Sequence, residues 1–244
     1  AAGNRRHNEY DTCGRGKLSL MGKIICLMGK SSTGKDTIYK RLLEGGSPEL
    51  KSIVPYTTRP VRSGEREGAE YFFTDDAGFR RLHEQKKIIE SREYHTFYGL
   101  WRYFTVDDGQ INEEDSYLMI GTLEAYRQLQ DYFGTDRIVP VMIELDDGDR
   151  LQRALDRERQ QEKPGYEEMC RRFLADSADF SPEKIREAGI TRCFVNDDLA
   201  RCLQEIREYI GAEIGCDSGG NSEGMKGEQA DGDQGKSGQP GGAD

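Results

Sequence analysis

Residues 29–37 read GKSSTGKDT, and the five residues before them, 24–28, read IICLM. An apolar run of this kind indicates a buried strand, and Gly29 and Gly34 let the backbone fold tightly enough for successive N–H groups to face an anion. Lys35 brings a mobile positive charge to the outer phosphates, and residues 36–43 are predicted to form a helix whose positive end adds to the same site. The pattern predicts a phosphate-binding loop, with a glycine-rich surface turn as the alternative.

The residue after Lys35 departs from the standard loop motif. Asp36 stands where a Ser or Thr usually offers its hydroxyl to magnesium, and Thr37 is the obvious substitute. A carboxylate this close to a triphosphate would repel it unless a metal lies between them. Asp36 is therefore expected to be either a magnesium ligand, direct or through water, or a charge that stabilises the first helical turn.

Composition limits the function classes. The 244 residues carry a formal net charge of -10, which argues against a general nucleic-acid binder and requires any phosphate site to be a local basic cluster. The six cysteines include no CxxC pair, so reduced thiols in a cytoplasmic protein are the simplest interpretation. No apolar stretch approaches the ~20 residues that span a bilayer, and the N-terminus has no signal-peptide pattern. We expect neither a membrane nor a nucleic-acid partner, and a monomer or weak homodimer.

Both ends of the chain are predicted to be disordered. Residues 1–21 are polar and interrupted by glycine, and residues 212–244 consist mainly of Gly, Ser, Asp, Glu and Gln. Segments of this composition cannot bury enough apolar surface to offset the entropy lost on ordering. The folded domain is expected to cover residues 22–211.

Strand-like apolar runs alternate with amphipathic helical patterns through this domain. The predicted strands are residues 23–28, 53–56, 116–120, 138–145 and 192–196. Such alternation predicts an α/β protein of the P-loop NTPase fold, with a parallel sheet flanked by helices and ligands at the carboxyl ends of the strands. Residues 22–56, 107–146 and 181–211 would form this core.

Two segments interrupt the alternation. Residues 57–106 are predicted to form a small mixed α/β insertion that binds the acceptor, with one helix near residues 76–86. Residues 147–180 are predicted to form a helical lid, broken around residues 163–165 where a proline precedes a glycine. Arg150, Arg153 and Arg157 share one face of the first lid helix by spacing. This is typical of a solvated charged stripe, an interpretation kept for Arg153, whereas Arg157 also suits a mobile lid.

A second anion site is predicted in residues 57–73, which read TTRPVRSGEREGAEYFF. Prolines and glycines near Arg59 and Arg62 fix the backbone, so two planar guanidinium groups could grip one phosphate while Tyr71 adds a hydroxyl. Two arginines in a loop are more often surface ion pairs. A phosphate-binding loop in the same domain favours the phosphate clamp instead.

Residues 22–211 resemble a guanylate kinase. The resemblance rests on the phosphate-binding loop, on TTRPVRSGEREGAEY (57–71) in the place of the GMP-phosphate clamp, on IIESREYHTFYG (88–99) in the place of the guanine-binding segment, and on FVNDDL (194–199) before the last helix. It implies phosphorylation of GMP to GDP with ATP as phosphoryl donor and Mg²⁺ as cofactor.

The resemblance also implies roles by position. Glu90 would accept hydrogen bonds from guanine N1 and N2. The acceptor phosphate would be held by Arg59, Arg62, Tyr71 and Tyr98. Arg157 and Arg172 would be the catalytic cations of the lid, and they join Lys35 of the loop, where Asp36 and Thr37 are the candidate metal ligands. ATP would be bound by Gly29, Lys30, Ser31, Ser32, Thr33, Gly34, Lys35, Asp36 and Thr37, with Asn196 near the adenine.

Three positions depart from the family pattern of guanine recognition. Pro55 stands where a serine is usual, Leu100 replaces a Ser or Thr, and Gly121 falls where an Asp is expected. Each change removes a polar group that could pair with a base edge, which weakens discrimination. The alternatives left open are a kinase of the same fold with another acceptor, such as ribose bisphosphate or another nucleoside monophosphate, and a guanylate-kinase-like binding module without catalysis.

Overall fold

The structure is a computed structural model that describes residues 21–46, 48–62, 64–96 and 99–215. The disorder predicted for residues 1–20 and 216–244 lies outside the described residues, and so does the acceptor-phosphate role predicted for Tyr98. Within the described ranges, no helix is both long enough and apolar enough to cross a membrane.

A five-stranded parallel sheet forms the core, in the order β2-β7-β1-β8-β9. Its strands are β1 (Ile24–Met28), β2 (Lys51–Ser52), β7 (Tyr117–Ile120), β8 (Ile138–Glu144) and β9 (Cys193–Val195). All five residues of β1 are fully buried, because alternate side chains enter two hydrophobic clusters on opposite faces of the sheet. The prediction of a parallel sheet covered by helices on both faces is confirmed.

Helices connect and cover these strands. They are α1 (Lys35–Glu44), α2 (Asp76–Glu84), α3 (Leu123–Phe133), α4 (Asp147–Arg159), α5 (Tyr166–Asp179), α6 (Pro182–Glu187) and α7 (Leu199–Ile214). The first lid helix ends at Arg159 and the second begins at Tyr166, so the break lies where Pro164 and Gly165 predicted it. Helices α4 and α5 contact each other, and they cover the segment that is predicted to be the lid.

A second, four-stranded sheet of mixed direction belongs to the insertion, in the order β4-β3-β6-β5. It comprises β3 (Tyr56–Thr57), β4 (Phe72–Phe73), β5 (Ile88–Thr96) and β6 (Gly99–Val106), with α2 between β4 and β5. Residues of the phosphate-binding loop and of this small sheet line a common cavity.

Two predicted boundaries were wrong. Residues 53–56 do not form one strand: Lys51–Ser52 pair with the core sheet, whereas Tyr56–Thr57 pair with the small sheet. Pro55 lies between them, and because it has no backbone N–H it cannot continue a ladder. The last helix also runs to Ile214, three residues into the predicted disordered tail, since Ile206 and Ile210 bury its apolar face against the sheet.

Candidate active site

The phosphate-binding loop makes a close contact with Asn196, which precedes the last helix. Gly34 has φ +91, and a Cβ there would lie 2.3 Å from Asn196 Nδ2. That same nitrogen donates a 2.7 Å hydrogen bond to the Thr33 carbonyl. Asn196, expected near adenine, is buried and directly supports the loop in this structure. Only glycine fits at position 34, for conformational and for steric reasons.

Inside the loop, Ser32 has the left-handed φ of 65, which is uncommon for a residue with a side chain. Such a turn directs successive N–H groups into one concavity, the geometry of an anion-binding nest. Lys35 donates a hydrogen bond of 2.8 Å from Nζ to the Lys30 carbonyl, which folds its side chain back over the loop. Burial lowers the pKa of Lys35 from its usual value, although the neighbouring Asp36 and Asp176 oppose the shift.

A cavity of about 690 Å³, here called the lid cavity, lies between the loop and the lid. Its cationic side chains outnumber its acidic ones two to one, so it favours a polyanion. The cations are Lys35, Arg62, Arg153, Arg157, Lys163 and Arg172, and the acids are Asp36, Glu158 and Glu168. Lys35, Arg157 and Arg172, the three predicted catalytic cations, all line this one cavity.

The two lid arginines are placed differently. Arg157 donates a long hydrogen bond of 3.4 Å from Nη2 to the Ser32 hydroxyl, so it already reaches the loop. Arg172 lies 3.7 Å from the carboxylate of Glu158. Glu158 is buried and also accepts a 2.9 Å hydrogen bond from the Gly165 N–H. This carboxylate joins the end of the first lid helix to the start of the second and orients Arg172.

The interpretation of a solvated charged stripe was wrong for Arg150, which is buried. Its side chain is 1% exposed, and Nε donates to the Ser31 carbonyl at 3.0 Å. Its Nη atoms pair with Asp147 and, at 3.3 Å, with Asp176, and the guanidinium packs over the Phe173 ring. Residues from both lid helices enclose Arg150 against the loop, which spacing along one helix could not reveal.

The predicted phosphate clamp is organised around Arg59. Its guanidinium donates to Glu65 at 2.7 and 2.5 Å, and Glu65 also accepts a 2.8 Å hydrogen bond from the Arg62 N–H. The bond from Arg59 is the main reason that the pKa of Glu65 falls to about 2. Arg59 also lies 4.9 Å above the centre of the Tyr71 ring. The structure therefore brings Arg59, Arg62 and Tyr71 into one region.

One atom of Arg59 is left without a partner. Among the buried side-chain nitrogen and oxygen atoms of the described residues, only Arg59 Nε has no hydrogen bond. A buried donor without a partner costs free energy.

Glu90, predicted to bind the guanine base, is fully buried on β5. It accepts hydrogen bonds from Thr105 Oγ1 at 2.8 Å and from Arg92 Nε at 3.1 Å. Arg92, which the sequence interpretation missed, follows Glu90 by two residues on a strand. Both side chains therefore lie on one face of the sheet, and that spacing was the available signal.

A second cavity of about 700 Å³, here called the insertion cavity, lies between the loop and the small sheet. Tyr71, Arg92 and Tyr103 line it from the insertion, and Lys35 and Asp36 line it from the loop. Two of the three departures from the family pattern, Pro55 and Gly121, are also in its wall, whereas Leu100 is not a lining residue. A Cβ on Gly121 would lie 2.7 Å from Cys26 Sγ, so packing excludes a larger residue there.

The donor atoms beside Lys35 suit magnesium. Asp36 and Thr37 open the first turn of α1, and both line the lid cavity with hard oxygen atoms. In the part of the chain that the structure describes, no cluster of three His, Cys, Asp or Glu side chains could hold a metal alone. Mg²⁺ at phosphate sites typically takes one or two protein oxygens and completes its shell with water and substrate phosphates. One carboxylate and one hydroxyl match that requirement.

Comparisons with known proteins identify the family. The family model of guanylate kinase matches residues 21–213. A guanylate kinase of Symbiobacterium thermophilum is 34% identical over 198 residues, covering 79% of this chain and 86% of the relative. One of Porphyromonas gingivalis is 28% identical over 193 residues, covering 78% and 97%. The crystal structure of guanylate kinase from Anaplasma phagocytophilum shares the fold, with a TM-score of 0.55 at 21% identity over 80% of this chain and 87% of that one. The chain belongs to the guanylate kinase family.

Proposed function

We propose that the chain is a guanylate kinase, which transfers the terminal phosphoryl group of ATP to the phosphate of GMP and releases ADP and GDP. The observation that carries this proposal is that Lys35 and Asp36 line both cavities. A polyanion in the lid cavity and an acceptor phosphate beside Tyr71 would therefore meet at the same two side chains. Family membership supports the identity of the two nucleotides.

The chemistry requires positioning and positive charge more than a covalent nucleophile. An oxygen of the GMP phosphate forms a bond to the terminal phosphorus of ATP as the bond to the ADP oxygen breaks, with the two oxygens roughly in line. Negative charge spreads over the equatorial oxygens. Lys35 lies beside this position, and Arg157 and Arg172 approach it from the lid, so their donors stabilise the charge where it develops.

The acceptor would be held from the opposite side. Arg59, with its unpaired Nε, and the neighbouring Arg62 and Tyr71 would fix the phosphate of GMP. Planar guanidinium groups bind phosphate through paired hydrogen bonds, which set direction as well as affinity. Asp36 and Thr37 would hold Mg²⁺, which when bound neutralises charge on the phosphate oxygens of ATP.

A coupled assay that follows ADP release tests the proposal. ATP should be consumed with GMP. The same assay with dGMP, AMP, UMP and ribose bisphosphate shows which other acceptors the enzyme phosphorylates. Lys35→Ala should lower turnover by about 10²-fold or more, because it removes a cation from the transferring phosphoryl group. The matched control is Lys184→Ala on the surface helix α6, which should leave turnover unchanged.

The alternatives give different results in the same experiment. Consumption of ATP with ribose bisphosphate but not with GMP would reject the proposed acceptor. Retained GMP binding without any turnover would indicate a binding module instead of an enzyme.

A further inference from the structure

Asp176, in the last turn of α5, places a charged oxygen on the phosphate-binding loop. Its Oδ2 accepts a 2.7 Å hydrogen bond from the Ser31 N–H and a 3.3 Å hydrogen bond from Arg150 Nη2. The side chain is 17% exposed, so water has limited access to this contact. A backbone N–H of this loop is the kind of donor that binds a phosphate oxygen, and here a carboxylate oxygen holds it.

A second donor of the loop is also engaged by the protein itself. Lys35 Nζ donates to the Lys30 carbonyl at 2.8 Å. A phosphate that takes these donors must replace their present acceptors, so its binding exchanges one set of hydrogen bonds for another. The two acceptors differ in charge. The Lys30 carbonyl is neutral, whereas the Asp176 carboxylate carries a negative charge that also repels the incoming phosphate.

The position of Asp176 indicates which phosphate it competes with. Ser31, Lys35 and Asp36 line both the lid cavity and the insertion cavity, so they mark the place where the two cavities meet. Asp176 lines the insertion cavity beside them. Under the proposed function, the ADP part of ATP lies in the lid cavity and the acceptor phosphate lies in the insertion cavity. The group between them is the terminal phosphoryl group of ATP.

Arg150 keeps other partners when Asp176 leaves the loop. Its Nε donates to the Ser31 carbonyl at 3.0 Å, its Nη1 pairs with Asp147, and its guanidinium packs over the Phe173 ring. Departure of Asp176 therefore does not leave a buried charge unpaired, which is the costly outcome when a buried ion pair is broken. The contact between Asp176 and the loop can open while Arg150 stays in place.

Resting on the proposed function, we infer that Asp176 is an autoinhibitory placeholder for the terminal phosphoryl group of ATP. Its carboxylate holds the loop N–H that an oxygen of this group needs, so ATP binds only by displacing the carboxylate. ADP has no group at this position and binds with the contact intact. Asp176 therefore weakens the binding of ATP and leaves the affinity for ADP nearly unchanged.

Calorimetric titration in the presence of Mg²⁺ tests this difference. The two ligands are ADP and AMP-PNP, the ATP analogue whose terminal phosphorus is linked through nitrogen and is not transferred. Asp176→Asn keeps an oxygen for the Ser31 N–H but removes the charge. It should lower the Kd of AMP-PNP by about 5-fold or more, because a neutral acceptor binds the N–H less strongly and does not repel phosphate. The Kd of ADP should change by less than about 2-fold, because ADP does not displace Asp176.

Two further variants calibrate the effect. Asp176→Ala also removes the acceptor, so it should lower the Kd of AMP-PNP at least as far as Asp176→Asn does. The matched control is Asp179→Asn, which removes one negative charge from the same helix at a side chain that is 62% exposed, 3.9 Å from Lys184. It should change the Kd of either nucleotide by less than about 2-fold, because solvent screens an exposed charge.

Three results would overturn the inference. One is an affinity for AMP-PNP that is unchanged or weaker in Asp176→Asn, since the carboxylate would then only support the loop structurally. Another is an equal gain for AMP-PNP and ADP, which would indicate a general effect of charge. The third is a gain for GMP without one for AMP-PNP, which would put the carboxylate at the acceptor phosphate. If Asp176→Asn does not fold by circular dichroism, Asp176→Ser replaces it, with the same expected direction.

The inference and the proposed function can fail separately. Both titrations measure binding without turnover, so a selective gain for AMP-PNP supports the placeholder even if no monophosphate is phosphorylated, in which case the proposed function fails. Consumption of ATP with GMP, together with an unchanged affinity for AMP-PNP in Asp176→Asn, would leave the proposed function in place and reject the placeholder.

Discussion

The Asp176 carboxylate accepts a hydrogen bond from the backbone N–H of Ser31 at 2.7 Å. This contact ties the second lid helix directly to the phosphate-binding loop. Arg150 completes the connection, because it donates to the Ser31 carbonyl and pairs with Asp176. The lid and the loop therefore share one hydrogen-bonded unit, centred on a single residue of the loop, Ser31.

Asp176→Ala should destabilise the protein by about 1–3 kcal/mol, because it leaves the buried Arg150 with fewer partners and the Ser31 N–H without its acceptor. Chemical denaturation measures the change in the free energy of unfolding. Asp176→Asn keeps an acceptor for the Ser31 N–H and should cost less. The control Glu167→Ala, at an exposed position of the same helix, should change stability by less than about 0.5 kcal/mol. Equal effects of Asp176→Ala and Glu167→Ala would show that the contact contributes nothing.

Arg59 and Arg172 should affect different kinetic constants. Arg59→Ala removes a group that holds the acceptor phosphate, so it should mainly raise KM for GMP. Arg172→Ala removes a lid cation that acts on the transferring phosphoryl group, so it should mainly lower kcat, by about 10²-fold. Steady-state kinetics with GMP varied at saturating ATP measures both constants. The opposite pattern would reject this division of roles.

Asp36→Ser tests the proposed metal ligand. If Asp36 binds Mg²⁺, directly or through water, the substitution should shift the magnesium concentration needed for half-maximal activity by several-fold. If Asp36 only stabilises the first turn of α1, the magnesium requirement stays the same and stability changes by about 0.5 kcal/mol. Titration of activity with Mg²⁺ at fixed ATP distinguishes the two possibilities that the sequence left open.

The Glu65–Arg59 pair should make stability depend on pH in the acid range. The pKa of Glu65 falls from 4.5 to about 2 in the folded protein. A depressed pKa means that the ionised form is favoured by folding, so the contribution is complete above about pH 4.5 and is lost as the pH falls towards 2.

Comparison of wild type with Glu65→Gln by chemical denaturation measures this contribution. The difference in the free energy of unfolding should be about 1–2 kcal/mol at pH 7, because the pair is partly screened by solvent, and it should shrink steadily below pH 4.5. A difference that stays constant down to pH 3 would show that the pKa of Glu65 is not depressed.

The core of the fold could be predicted because its signal is local. The run Ile24–Met28 is buried on both faces, and the glycines of the loop follow it directly. The strand, the loop and the helix can therefore be predicted from consecutive residues. The strands of the insertion were harder to predict from the sequence. Strands of two residues, such as Tyr56–Thr57, carry no periodicity, and their pairing depends on partners nearly fifty residues away.

The side chains that the sequence interpretation missed share one property. Arg150 and Asp176 resemble ordinary surface charges, and their burial arises only when distant segments meet. Spacing along α4 assigned Arg150 to an exposed face, because the pattern of one helix contains no information about the loop and the second lid helix that cover it. Tertiary burial of a charged residue requires a partner, and the partner here lies 26 residues further along.

The bidentate contact of Arg59 with Glu65 has a consequence for which anions can bind at the clamp. A phosphate that binds there competes with the Glu65 carboxylate for Arg59. Its net binding free energy is therefore the difference between the free energies of two ion pairs. A monoanion such as another carboxylate gains almost nothing from that exchange, whereas a phosphate dianion has more charge and more oxygens to offer. Glu65 thus restricts the clamp to anions that bind Arg59 more strongly than its own carboxylate does.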